Sequence, residues 1–472
     1  MSRAAPPRIA VIGAGITGLA AAHRLIELSR AQGRTIELQV FEAGARPGGV
    51  IRTEHADGFL LEAGPDSFLT EKPAGTALCE RLGIADQLVG TNEAFRRTYV
   101  VRHGRLVPLP DGFLLLAPTR LWPLLTTPLF SWRGKLRMAL DLVLPRGAGA
   151  DESLADFVTR RLGREVLDRV AEPLVGGIYT ADPAHLSVAA TLPRFRDMER
   201  ADRSIALALW RQRRNAARGE TAAVSGARWS LFVSFARGMQ VLVDALAGEL
   251  PPGALRCGER IEAVARAGGV WHLGAGHVFD ALLIATPAYV AAQLLRTSDA
   301  ALATELEGIG YASSAIVTLA YGREDVPHPL DGFGFVVPHG EGRALLACTF
   351  SSLKYPGRAP AHSVLLRAFV GGALRAHTAE LADDELVGTV QRELSELLGV
   401  RQPAQLVRIA RWHRSMPQYE MGHLDRVARI RARSAALGVH VAGSAFEGVG
   451  IPDCIRSGET QAELLLSQLP AV

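Results

Sequence analysis

Four glycine-rich turns carry the residues whose types and spacing point to chemistry. The first is Gly13, Ala14, Gly15, Ile16, Thr17, Gly18. In a GxGxxG turn the first glycine permits the tight bend and the second lets backbone approach a pyrophosphate. The third lets helix and strand pack closely. The helix that follows presents free N–H groups and the positive end of its dipole to phosphate. Glu42 stands where a carboxylate accepts hydrogen bonds from an adenosine ribose. The second turn, Arg46-Pro47-Gly48-Gly49, comes directly after that acid. A nicotinamide dinucleotide rarely needs a paired glycine there. A longer cofactor, reaching past its pyrophosphate to a flavin, does. The third turn is Gly64-Pro65-Asp66-Ser67, and the fourth is Gly448-Val449-Gly450-Ile451-Pro452-Asp453. In the fourth, Gly448 and Gly450 are expected to keep backbone close to a flat ring. Asp453 is expected to be the N-cap of the last helix, whose dipole would stabilise an anionic reduced flavin. Taken alone, Asp453 is an ordinary cap and Trp412 an ordinary core residue.

These turns need a Rossmann-like frame, and the flanking pattern supplies one. Arg8–Ile12 reads as an apolar strand, 16–28 as a helix and Glu37–Glu42 as a second strand, which is one βαβ unit. Residues 75–225 are mostly helical with many Pro and Gly breaks. Within them 153–170 has helical spacing, and 211–218 is a basic loop or solvated helix end. Strands are expected at 229–235, 260–265, Val270–Leu273, 281–285, 315–321, 334–337, 363–370, 406–412 and 439–442. Helices are expected at 240–250, Asp383–Leu398 and 453–469. The class is α/β.

Composition narrows the partners. The chain has 472 residues, enough for two or three domains, and 48% are apolar. A formal net charge of +4 gives no sign of a nucleic-acid binder. The only lysines are Lys72, Lys135 and Lys354. Cys79, Cys257, Cys348 and Cys454 stand far apart, with no CxxC pair and so no metal motif. A reducing, intracellular setting follows. No signal peptide precedes the first strand, and no apolar run reaches the ~18 residues of a spanning helix. The greasiest stretch, 112–144, is broken by Pro118, Arg120, Pro123, Pro128 and Arg133. With Arg133, Lys135 and Arg137 alongside, it suits a membrane interface or a helical core.

Two longer strings are more specific. Arg411-Trp412-His413-Arg414-Ser415-Met416-Pro417-Gln418-Tyr419, continuing to Gly422-His423, and Gly443 through Ile455 resemble the FAD-dependent protoporphyrinogen and coproporphyrinogen oxidases. The N-terminal glycines match the same family in order, so the resemblance spans essentially the whole chain. It implies an FAD-binding unit from 1–75, 226–290 and 405–472. It also implies a mixed-sheet substrate unit from 76–95 and 291–404, and a helical insertion, 96–225, of the type that touches membranes in relatives. The implied FAD contacts are Gly13, Ala14, Gly15, Ile16, Thr17, Gly18, Glu42, Ala43, Gly49, Val50, Gly64, Pro65, Asp66, Ser67, Ile261, Trp412, Val449, Gly450 and Ile451. The implied substrate contacts are Lys72, one of Arg96 and Arg97, and a wall strand with Phe333, Gly334 and Val336.

The implied reaction is a six-electron oxidation of a porphyrinogen by non-covalent FAD, with molecular oxygen as acceptor and hydrogen peroxide as product. No strong general base is needed, and no residue is singled out as catalytic. His413 and His423 are expected to be packed, hydrogen-bonded histidines. The strings are closest to the coproporphyrinogen III branch of Gram-positive-type bacteria. Four propionates also need more cations than two, because an unpaired carboxylate entering an apolar cleft is costly. Protoporphyrinogen IX is the alternative substrate, and a flavin amine oxidase or a non-catalytic FAD escort the alternative function. Neighbouring heme-pathway enzymes and a membrane surface are the other expected partners of a cytoplasmic or peripheral protein.

Overall fold

The computed structural model describes residues 5–114, 117–118, 121–147, 149, 151–217, 231–274 and 276–469. Arg120, Arg218 and Trp229, which fall within segments read above, lie outside them.

The apolar run Arg8–Ile12 becomes the central strand of a parallel sheet. The order is Leu255–Cys257, Glu37–Glu42, Arg8–Ile12, Ala281–Ile284, His440–Val441. Strands from both ends and the middle of the chain thus share one sheet. A strand buried on both faces needs helical cover, and the helices Ile16–Ala31 and Ile451–Gln468 supply it on one side. They pack closely: a Cβ on Gly458 would stand 2.3 Å from the Thr17 carbonyl oxygen. Arg24 reaches Glu463, and Arg34 reaches the carbonyl of Leu469. The contacts advance together along both helices, so the two run parallel and their N-termini open at the same end. That end lies at the carboxyl edge of the sheet, where open α/β sheets bind ligands.

A second, seven-stranded sheet runs Leu406–Pro417, Tyr311–Gly322, Ser363–Gly371, Leu345–Phe350, Gly334–Val336, Thr98–Arg102, Arg105–Pro108. It is mixed, because Gly334–Val336 pairs parallel with Thr98–Arg102 while its other neighbours are antiparallel. Its side chains alternate. Phe335 joins the core under the helix Asp383–Leu398, and Val336 joins the core of the helical unit on the opposite face. Strands Thr98–Arg102 and Arg105–Pro108 lie in this sheet, although the sequence reading put residues from 96 onward in the helical unit. Leu78, Cys79, Ile84 and Leu88, expected in the substrate unit, pack in the core beneath the first sheet instead.

The helical unit takes in the helices Leu121–Thr126 and Trp132–Ala139, whose Leu124 and Met138 share its core, and those of 154–217. The helix Leu154–Arg161 ends where Gly163 turns the chain with φ +97°. The remaining residues of the expected 153–170 helix form a short helix and a π-turn, Leu167–Ala171, before the helix Glu172–Tyr179. Residues 211–217 continue the helix Ile205–Ala217. The expected strand at 260–265 begins only at Val264; residues 260–263 are irregular and lack a strand partner. No helix among the described residues is long and apolar enough to cross a membrane.

Candidate functional site

Gly13 and Gly18 are fixed by the protein itself. A Cβ on Gly13 would meet the Ala285 carbonyl oxygen at 2.7 Å, and one on Gly18 would meet the Gly13 carbonyl oxygen at 1.9 Å. Gly15 differs: a Cβ there meets nothing within 4 Å, and its backbone (φ −68°, ψ 177°) suits any residue. The protein has no internal reason to keep Gly15 bare. Space for a ligand at the second glycine is the reason that remains. Gly15 is also the N-cap of Ile16–Ala31, with no side-chain cap and no acid in the first turn. Ile16 and Thr17 begin that helix and are buried. Glu42 braces the turn, accepting from the N–H of Ala14 at 2.9 Å and of Gly44 at 2.7 Å. The residues present therefore fit a dinucleotide.

The second turn leans on the first. Gly48 donates to the Ala14 carbonyl, and a Cβ on Gly49 would touch the Gly15 Cα at 3.4 Å. Gly48 and Gly49 both have positive φ, +104° and +58°. Ala43, Gly49 and Val50 are exposed beside it. The third turn is locked below the second, since a Cβ on Gly64 would lie 1.8 Å from the Val50 carbonyl oxygen. Trp412 donates its indole N–H to the Ala63 carbonyl at 2.7 Å, bringing the edge of the large sheet to this turn. Pro65 and Ser67 are half-buried. The Asp66 side chain faces the protein. It accepts from Lys354 Nζ at 3.1 Å, pairs with Arg367 at 3.2 Å and accepts from the Ser67 hydroxyl at 2.8 Å. Burial works to raise its pKa, but Lys354 and Arg367 outweigh it and hold the carboxyl well below the usual range. Arg367, 2% exposed, also donates to the Gly64 carbonyl at 2.5 Å. Ile261 sits in the irregular stretch after Leu255–Cys257, half-buried against the core of the first sheet.

The fourth turn departs from the sequence reading at the helix boundary. The last helix starts at Ile451 with Gly450 as N-cap, so Asp453 lies inside the first turn and is not the cap. Pro452 sets this boundary, because proline is favoured in a first turn. Gly448 is required by that acid within the protein: its φ is +128°, and a Cβ would stand 2.5 Å from the Asp453 carboxyl carbon. Gly450, by contrast, has ordinary φ and only Asp453 and Pro452 near its missing Cβ. Val449 packs with Val336 against the helical core.

The expected substrate residues are dispersed. Lys72 meets Asp453 at 2.5 Å and so joins the fourth turn, with about half its side chain exposed. Arg96 pairs with Glu93 at 2.5 Å; Arg97 pairs with Asp331 at 2.6 Å, and the Tyr99 hydroxyl donates to the same carboxylate. Neither arginine is unpaired. Phe333 donates its N–H to the Arg97 carbonyl, and Gly334 is required because a Cβ would lie 2.0 Å from the Cys348 carbonyl oxygen. His423 is buried, with Nε2 donating to the Phe446 carbonyl at 3.1 Å; burial lowers its pKa. His413 is exposed, its Nδ1 3.4 Å from the Ser313 hydroxyl.

Of the basic residues beside the apolar stretch, Arg133 is exposed while Lys135 and Arg137 are spent inside the fold. Lys135 is buried and donates to the Leu125 and Thr127 carbonyls, and Arg137 donates to the Thr159 and Arg160 carbonyls. Trp122, Trp132, Leu136, Leu142 and Val143 are left exposed.

The family model for flavin containing amine oxidoreductase matches residues 16–466. A coproporphyrinogen III oxidase of Bacillus subtilis (strain 168) is 34% identical, covering 98% of this chain and 98% of its own. One from Propionibacterium freudenreichii subsp. freudenreichii is 37% identical, covering 96% of this chain and 90% of its own. A crystal structure assigned as a protoporphyrinogen oxidase from Exiguobacterium sp. 255-15 superimposes with TM-score 0.84 at 31% identity, covering 98% and 99%.

Proposed function

The chain belongs to the flavin containing amine oxidoreductase family, and from that premise we propose that it oxidises coproporphyrinogen III to coproporphyrin III in heme biosynthesis. The near-full-length identity of 34–37% to two enzymes of that name carries the reading. FAD held there would supply two-electron oxidation; removing six electrons from the porphyrinogen would take three turnovers, with three dioxygen molecules reduced to three hydrogen peroxides.

The chain's own residues bind and orient. Gly15 and the uncapped start of Ile16–Ala31 receive the pyrophosphate, and Glu42 the ribose. The turns at Gly49 and Gly64, with Trp412, Val449, Gly450 and Ile451, line the path toward the ring. The FAD unit is proposed to draw on 1–75, 226–290 and 405–472, with the large sheet and the helical unit closing over it. Lys72 is the cation proposed to meet a propionate at the cleft mouth. Its half-exposed ammonium and single carboxylate partner support that role. Arg97 would serve a second propionate by exchanging Asp331 for it. No general base is assigned, because pyrrole N–H protons leave by tautomerisation. FAD is proposed to be held without a covalent bond: Cys79, Cys348 and Cys454 are buried, and the exposed Cys257 pairs with Glu42 in the first sheet, at the proposed ribose end and not beside the ring. The exposed Trp122, Trp132, Leu136, Leu142 and Val143 support peripheral contact with a membrane.

The test is anaerobic mixing of the holoenzyme with coproporphyrinogen III and with protoporphyrinogen IX, following loss of flavin absorbance. Faster bleaching by the four-propionate substrate is expected. Faster bleaching by protoporphyrinogen IX overturns the substrate, and bleaching by neither overturns the reaction.

A further inference from the structure

Tyr419 lies in the core of the helical unit, yet its hydroxyl braces the fourth turn. Its side chain is fully buried. The hydroxyl donates to the Ser444 carbonyl at 2.5 Å and accepts the Gly448 N–H at 2.8 Å. One phenol therefore bridges the loop between these two residues. The His423 ring stacks on Tyr419, with centroids 4.1 Å apart and planes 14° from parallel, and its Nε2–H donates to the Phe446 carbonyl between them. Residues 444, 446 and 448 are thus pinned in alternation by one stacked pair. The N–H groups of Val449 and Gly450, next in the chain, donate to no protein acceptor among the described residues. They precede a helix N-terminus with no side-chain cap.

The phenol has no other evident use. A buried Tyr O–H needs partners, and a phenylalanine would fill the same space without creating that need. Burial raises the Tyr419 pKa, so the hydroxyl stays protonated and keeps its donor role. The same segment is tied to the helical unit. Gln418 donates to the Tyr179 carbonyl at 3.1 Å, and Ser187 donates its N–H to the Tyr419 carbonyl at 2.8 Å.

We propose that Tyr419 is a positioning residue that, with His423 stacked on it, sets the loop so that the Val449 and Gly450 N–H groups face the flavin. This rests on the assignment of the fourth turn to the flavin. The pair does not touch the cofactor; it fixes the donors that do. Donors aimed in advance at a developing negative charge stabilise the reduced form more than the oxidised one. Loss of the phenol should therefore shift the flavin potential as well as its affinity.

The experiment compares wild type, Tyr419→Phe and Gly450→Ala as purified holoenzymes. Three quantities are read: the FAD dissociation constant, the two-electron potential and the thermal midpoint. For Tyr419→Phe, FAD affinity is expected to fall about tenfold, the scale of losing two modest hydrogen bonds. A further tenfold loss for the reduced flavin would read as a potential about 30 mV more negative. Gly450→Ala should shift the potential too, because a Cβ there stands 3.1 Å from the Asp453 carboxylate and displaces the turn that carries both N–H groups. If Gly450→Ala shifts it and Tyr419→Phe does not, the positioning role is overturned. A lower thermal midpoint with an unchanged potential for Tyr419→Phe overturns it equally, because that is what a merely structural tyrosine gives. If neither variant changes potential or affinity, the assignment of the loop to the flavin falls.

Discussion

Glu172 opens the helix Glu172–Tyr179 and is 9% exposed. It accepts the His339 N–H at 2.9 Å, and it forms no ion pair among the described residues. Arg375, buried at 4% exposure, donates to the Pro338 carbonyl and has one guanidinium nitrogen without a partner. Burial raises the Glu172 pKa to about 7, against the His339 N–H and Arg375; Asp168 and Asp182 push the same way as burial. The sign follows directly. The folded protein keeps this proton up to about pH 7, while the unfolded chain releases it near the ordinary glutamate value. Between those points the native state holds more protons, so stability falls as pH rises and then levels off above about 7. At ~1.4 kcal/mol per pKa unit, the full effect is on the order of 3 kcal/mol. Glu172→Gln keeps the carbonyl acceptor for His339 and removes the ionisation. The variant should match wild type in urea unfolding at pH 4.5 and exceed it by about 3 kcal/mol at pH 8, with FAD saturating in both. An equal difference at the two pH values refutes this reasoning. Loss of stability at pH 8 would mean that ionised Glu172 is paired with Arg375 in solution.

Three further outcomes follow from the site. Gly15→Val should lower the thermal midpoint of the apoprotein by only a few °C, the cost of a poorer N-cap, because a Cβ there meets nothing within 4 Å. It should abolish FAD binding by titration, and retained yellow colour on purification would count against the pyrophosphate assignment. Asp66→Asn strands the buried Arg367 and Lys354 without their carboxylate and should cost about 3–5 kcal/mol in chemical unfolding; a loss under ~1 kcal/mol would show that the cluster is not held by charge. Lys72→Ala should lower kcat/KM for coproporphyrinogen III by about 1–3 kcal/mol of transition-state binding, and for protoporphyrinogen IX by less. Equal losses would remove Lys72 from substrate recognition.

Where local pattern alone decides, the sequence was legible to the residue. Arg8–Ile12, Glu37–Glu42 and Asp383–Leu398 occupy the expected bounds. Their apolar periodicity and end residues agree with the sheet and helix they join. Residues 260–263 misled because alternation signals a strand only if a partner is present, and here none pairs. Asp453 misled because a good cap residue was weighed without Pro452 before it. The glycines were read by motif, yet their reasons divide. At Gly15 no protein atom fills the space, whereas Gly64, Gly334 and Gly448 are bare because backbone or a neighbouring side chain fills it. That division is three-dimensional and leaves no trace in spacing. The Asp66–Lys354–Arg367 cluster was missed for the same reason, although Arg367 did leave a signal. It is the one charge in the otherwise apolar strand Ser363–Gly371, which marks a buried ion that must find a partner.

That cluster also bears on how the two sheets are joined and on the potential of the site. Arg367 belongs to the large sheet and Lys354 to the helical turn after its neighbouring strand, while Asp66 belongs to the third cofactor turn. Ions and Trp412 on Ala63 join them here, beside an apolar cluster in which Phe59 and Leu61 pack with Ala320, Leu365 and Leu406. Two cations face one carboxylate. Arg358, 2% exposed, adds a third cation whose acceptors are the Ser234 hydroxyl and the Phe235 and Ala236 carbonyls. Glu62, which accepts from the Met239 N–H and the Thr53 hydroxyl, adds a second carboxylate, and burial raises its pKa, so three cations face two acids. An excess positive charge therefore lies behind the turn, where water screens it weakly. On the proposed flavin position this field favours the anionic reduced ring, adding to the N–H groups ahead of the last helix. Asp66→Asn would increase that excess while loosening the junction, so its flavin potential should move positive even as the protein loses stability. The opposite sign would place the cluster too far from the ring to act on it electrostatically.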